Sequence, residues 1–121
     1  MASSVEIQLK HIMDEYQEKV QTVSREACKK VSKNLARTLK GTSPKRPGGG
    51  EYAAGWTSKM LDSDTYVVYN KAKPGLTHLL ENSHVIKNKY GTFGRTNAHP
   101  HIKPAADNAQ EELITEIEAR L

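Results

Sequence analysis

Asp62-Ser63-Asp64-Thr65-Tyr66-Val67-Val68-Tyr69-Asn70 decides the fold. Three turn-forming side chains are followed by a run of β-branched and aromatic residues, the clearest strand signal in the chain. Tyr52 to Met60 precedes that turn, so the two segments predict an antiparallel hairpin. Pro74-Gly75 breaks it, and Leu76-Thr77-His78-Leu79-Leu80-Glu81 then reads as a short helix with Leu76, Leu79 and Leu80 inward.

On the N-terminal side, Val5, Leu9, Ile12, Tyr16, Val20, Val23, Ala27, Val31, Leu35 and Leu39 recur at steps of three and four. That spacing predicts one long amphipathic helix, or two collinear ones, opened by a capping box of Ser3 and Glu6 and closed at Gly41. At 1.5 Å per residue such a helix reaches roughly 50 Å, longer than a domain of this size, so part of it is expected to pack against something other than its own chain. On the C-terminal side, Pro104 suits the first turn of a last helix, where its missing N–H costs nothing. Ala106, Ala109, Leu113, Ile117 and Leu121 align on one face, and Asp107, Glu111 and Glu112 sit early, where the helix dipole favours negative charge. Residues 41–50, with two prolines and four glycines, and residues 87–98, polar and glycine-containing, are expected to be mobile loops. The reading is an α+β fold in a single domain, 1–121: a long N-terminal helix, a small antiparallel sheet with a hairpin, a short central helix and a C-terminal helix.

Composition narrows the function. The 121 residues are 36% hydrophobic and only 6% aromatic, which predicts a modest core completed by neighbouring subunits. The single cysteine, Cys28, rules out an intramolecular disulfide and a cysteine-only zinc site, and fits a reducing compartment. No apolar run approaches a membrane span, which predicts a soluble product made in the cytoplasm. A surplus of 18 basic over 14 acidic side chains is too small to diagnose nucleic-acid binding, but its distribution is uneven. Residues 1–40 carry 8 basic and 5 acidic side chains, whereas residues 105–121 carry 1 and 5, a polarity that suits either head-to-tail contact between copies or a solvated acidic helix.

The glycine triplet at 48–50 lacks the Gly-Lys-Ser/Thr that a phosphate loop needs. His78, His84, His99 and His101 cluster in sequence with Glu81, but without a His-Glu-x-x-His motif or a repeated ligand pair, so they are expected to hydrogen-bond the backbone and one another, with no metal and no cofactor. Neither spaced carboxylates for Mg²⁺ nor a Gly-x-Ser-x-Gly frame is present, and no enzymatic activity is expected. Arg25, Lys29, Lys33, Arg37 and Lys40 form a basic stripe on the long helix, either an ordinary solvated face or a surface for DNA phosphates or an acidic neighbour. Trp56, at the start of the hairpin, is expected to pin the sheet to a helix, with a partner hot spot as the alternative.

Several segments taken together resemble a known family. These are Ser43-Pro44-Lys45 through Trp56, Val67-Val68-Tyr69-Asn70, Leu76 to Glu81 with His84, and His99-Pro100-His101-Ile102-Lys103-Pro104-Ala105. Over residues 43–106 the chain resembles the head-tail joining, or neck and tail-completion, proteins of long-tailed bacteriophages and prophages, often described as minor tail or minor capsid components. The family places glycine before the His matching His84, where this chain has Ser83.

The resemblance implies a structural virion protein, made in the bacterial host and assembled as an oligomeric ring, a hexamer, in the phage neck. Such a ring joins the portal-side connector to the tail-terminator or tail-tube proteins and lets double-stranded DNA pass. In that frame Leu76–His84, with Leu79, Leu80 and Glu81, joins His99–Pro104 to position the last helix, and ordering of residues 41–50 or 87–98 at the interface times assembly. The rival is a small basic DNA-binding or metal-dependent nuclease protein using the His78–His101 segment.

Overall fold

The computed structural model describes residues 4–45, 49–63, 65–82, 85–88, 90–95 and 97–121. Its elements are α1 (Ser4–Thr42), α2 (Glu51–Ala54), β1 (Trp56–Asp62), β2 (Thr65–Asn70), a 3₁₀ turn (Pro74–Leu76), α3 (Thr77–Glu81), β3 (Val85–Asn88), β4 (Gly91–Arg95) and α4 (Ile102–Arg120). This is the expected α+β architecture, with a single uninterrupted N-terminal helix. Among the described residues no helix is long and apolar enough to cross a membrane.

The 39 residues of α1 span about 58 Å. Its C-terminal half is packed from two sides. The hairpin β1–β2, with Trp56 opposite Asn70 and Met60 opposite Tyr66 and a bulge before Asp62, lies on one side. On the other, α4 runs antiparallel, pinned by Arg120 to Glu26 at 2.7 Å, Lys30 to Glu116 at 3.1 Å, and Asn34 to Glu112 at 2.7 Å. Steps of four along α1 answer steps of four along α4, so these polar pairs set the register, although such partly exposed pairs contribute little stability individually. Leu39, Tyr52, Trp56 and Ala105 form the core cluster, with Leu35, Val68, Leu80 and Ile102 packed against it.

Several expectations are corrected. Helix α1 does not stop at Gly41 but continues through Thr42, so the first two residues of the 41–50 loop are helical. Termination comes from Ser43, whose N–H and hydroxyl both donate to the Leu39 carbonyl at 3.0 and 2.5 Å, followed by Pro44. The strand expected from Tyr52 begins only at Trp56, because Asn70 Nδ2 donates to the Tyr52 carbonyl at 2.6 Å and holds residues 51–54 as a helical turn. Residues 87–98 are not one long loop: β3 and β4 pair as a second antiparallel hairpin, with Asn88 opposite Gly91 at φ 137°, so the described residues form two separate two-stranded sheets. Leu76 is not inward but exposed in the 3₁₀ turn, where the Pro74 and Gly75 backbone sets its direction. On α4 the buried residue is Ala105, while Ala106 and Leu121 are exposed. Ser3 of the expected capping box, residues 46–48 of the first loop, and His84 lie outside the described residues.

Candidate functional site

Two features stand out above the core: a buried polar junction that anchors α4, and an apolar surface on α1 that none of the described residues covers.

The junction begins at Glu81, the last residue of α3. Its carboxylate accepts three consecutive backbone N–H groups at the start of α4: His101 at 2.8 Å and Ile102 at 2.9 Å on Oε1, and Lys103 at 2.8 Å on Oε2. A helix N-terminus presents unsatisfied donors and a partial positive charge, and here a carboxylate twenty residues upstream satisfies them. Burial pushes the Glu81 carboxyl up, but the amides of His101, Ile102 and Lys103 and the charge of His101 outweigh it and hold the pKa below the usual glutamate value. The Leu80 carbonyl also accepts from the His99 N–H at 2.7 Å, so α3 holds the chain on both sides of Pro100.

His101 links this cap to the core. Its Nδ1 lies 2.7 Å from the His99 carbonyl, which only accepts, and 3.1 Å from Glu81 Oε1, which assigns the ring proton to Nδ1. In neutral His101, Nε2 then accepts from the Tyr52 hydroxyl at 2.7 Å. Tyr52, Trp56 and His101 meet edge to face, with ring centroids 5.6 to 6.4 Å apart. Burial, then the negative charge of Glu81, pushes the Tyr52 phenol up to about 12. Trp56 Nε1 donates to Ser43 Oγ at 2.7 Å, tying the end of α1 into the same network. No buried side-chain nitrogen or oxygen among the described residues lacks a partner.

The second feature is the N-terminal half of α1. Residues 5–19 are all exposed, and Val5, Leu9, Ile12 and Tyr16 keep about 60% of their surface in solvent. Burial on this face starts only at Val23, Ala27 and Val31, where α4 and the hairpin arrive. Between β2 and α4 an apolar groove of ≈ 590 Å³ runs along Cys28, Val31, Leu35 and Leu39, walled by Val68 and Leu113 and floored near Trp56.

The structure brings together Glu81, His99, His101 and Trp56 from the expected junction, with Leu79 and Leu80 half-buried beside them. It does not bring in Leu76, His78 or Pro104, which are exposed. Among the described residues the histidines of this segment do not converge: His78 and His99 face solvent and both ring nitrogens of His101 are engaged in hydrogen bonds. No group of three or more His, Cys, Asp or Glu among the described residues is placed to hold a metal. Arg25, Lys29, Lys33, Arg37 and Lys40 are all exposed, on the side of α1 away from the groove.

Three residues of the junction, Tyr52, Ser43 and Asn70, are not among the site residues the sequence points to, although all three lie in segments read there. Ser43 before Pro44 and Asn70 after a strand carry the local signal of a helix stop and an Asx turn, the latter realised as Asn70 Oδ1 accepting from Ala72 and Lys73 at 3.2 and 2.9 Å. Comparison with protein families, with curated proteins and with solved structures gives no match in any of the three.

Proposed function

We propose that this protein is a structural subunit of the phage neck, assembled as a hexameric ring that joins the portal-side connector to the tail and lets DNA pass. One observation carries the reading: an apolar stripe from Val5 to Tyr16, exposed on a helix that overhangs its own fold. Contiguous exposed apolar surface of this kind marks a place where a protein meets another. The overhang persists as helix because it propagates from the packed half of α1 and needs no nucleus of its own. The resemblance over residues 43–106 supplies the neck as the place, and the outward basic stripe supplies a surface for lumenal DNA or an acidic neighbour.

In this role the junction is positioning machinery. By capping α4 from α3 and tying both to α1 through Trp56 and Ser43, it fixes the direction in which α4 and the overhang project. The test is the mass of the purified protein, free and in particles that contain it. A ring mass, or stoichiometric recovery with a connector or tail protein, supports the proposal. A monomer absent from mature particles overturns it.

A further inference from the structure

The proposed assembly leaves open how one copy holds the next, and here the geometry points to a specific contact. We infer that the α1 overhang of one copy docks in the β2–α4 groove of a second copy, head to tail; this rests on the ring reading above.

Length is the first argument. The stripe from Val5 to Tyr16 and the groove floor from Cys28 to Leu39 each cover eleven steps of helix, about 17 Å. The anchors fall at i, i+4, i+7 and i+11, the spacing with which an amphipathic helix fills an apolar groove. All the residues lining the groove are uncharged, so an apolar face entering it strands no buried charge.

The occupant comes from another chain. Both stripe and groove belong to one continuous helix, and the overhang cannot fold back onto residues 28–39 without breaking α1. The stripe also continues the face that α4 already covers from Val23 onward, so it is apolar surface of the same kind as an existing helix–helix interface.

Charge and direction select head-to-tail docking over the pairing of two overhangs. Residues 4–19 carry Glu6, Asp14, Glu15 and Glu18 against Lys10 and Lys19, so overhang on overhang sets net acidic against net acidic, whereas the groove lining is uncharged. At 100° per residue the stripe and the groove face directions about a third of a turn apart around α1, so side-by-side two-fold pairing of straight helices cannot fill both grooves at once. A contact between unlike surfaces generates a ring or a filament.

Two variants test this. Leu9→Asp with Ile12→Asp spoils the overhang, and Ala106→Trp, with Gln110→Trp as a second version, fills the groove; the overhang positions, Ala106 and Gln110 are exposed. Circular dichroism and the Tyr52 titration report that each variant is folded. Mass is read for wild type and variants, free and as recovered with particles. The expected result is that each variant alone fails to grow beyond a monomer, while an equimolar mixture stops at a heterodimer, because only one productive overhang–groove pair remains. Assembly that survives both groove substitutions but is lost with the overhang means that the stripe pairs with another overhang or a flanking protein, which overturns the docking and leaves the ring reading standing. Wild type that stays monomeric both free and with particles overturns both.

Discussion

Glu81 Oε1 accepts the N–H of Ile102 at 2.9 Å and, with its neighbouring bonds to His101 and Lys103, replaces the local cap that α4 lacks, since His101 at the N-cap makes no side-chain capping bond. The consequence is pH-dependent. A folded-state pKa below the unfolded 4.5 gives stability that is complete above 4.5 and is lost as pH falls through the lower folded value. Glu81→Gln is expected to flatten this acid limb, and Glu81→Ala to cost about 2–4 kcal/mol at neutral pH by orphaning amides of the first turn. Urea unfolding of the three proteins between pH 3 and 7 measures both effects.

The opposite limb belongs to Tyr52. Its phenol, raised from 10.0 to about 12, keeps its proton in the folded state where the unfolded chain has lost it, so stability is full below pH 10 and falls as pH rises towards 12. Ultraviolet titration of the phenolate is expected to show one of the five tyrosines ionising late. Glu81→Gln should lower that value while leaving it above 10.0, because burial is the larger cause and Glu81 the smaller. Tyr52→Phe removes the late phase and costs about 1–2 kcal/mol through the lost bond to His101.

How far these features were legible depends on the range of the interaction. The helices α1, α3 and α4 and the hairpin β1–β2 follow from periodicity and turn chemistry written within a few residues. The Leu76–Glu81 and His99–Pro104 segments were singled out, but Glu81 as a cap and His101 as its link to Tyr52 depend on pairings across 20 and 49 residues, which periodicity does not encode. The strand pair β3–β4 was hidden by a polar composition, and Gly91 was its one local signal. Leu76 was misplaced because a 3₁₀ turn presents different faces from the α-helix assumed for it.

Gly55 marks a close approach that composition alone does not reveal. A Cβ there would lie 2.6 Å from both Ala72 Cβ and Asn70 Oδ1, the second being the acceptor that holds the Ala72 and Lys73 amides. Gly55→Ala is therefore expected to destabilise by about 1–3 kcal/mol, through overpacking and loss of the Asn70 turn. Ala54→Gly, at an exposed position next to it, serves as the control and should stay within about 1 kcal/mol. Thermal and urea unfolding distinguish the two.

Trp56 separates folding from assembly. At 4% exposure, with its Nε1 bonded to Ser43 Oγ at 2.7 Å and its ring against Tyr52 and His101, it belongs to the core of the single chain. Trp56→Ala is expected to cost about 3–5 kcal/mol, reduce cooperativity of unfolding and remove assembly only as a secondary effect. Trp56→Phe keeps most of the volume but removes the Nε1–H that donates to Ser43 Oγ, a loss of about 1–2 kcal/mol. A partner hot spot behaves differently: its truncation leaves the monomer's unfolding midpoint unchanged while abolishing assembly, so measuring both quantities on one preparation decides between the roles.

Four residues of the basic stripe provide the last prediction. Lys29, Lys33, Arg37 and Lys40 are exposed, and their side chains form no ion pair among the described residues. Replacing all four by Gln should change the unfolding free energy by no more than about 0.5 kcal/mol per position. If the stripe lines the opening of the ring, each contact with a phosphate releases counterions, and four contacts contribute a slope of about −3.6 to log K against log salt for duplex DNA. The assembled wild type should show that slope and the quadruple variant should lose it. Equal slopes in the two proteins place the stripe on the outside of the ring, or against an acidic neighbour, and remove DNA from its role.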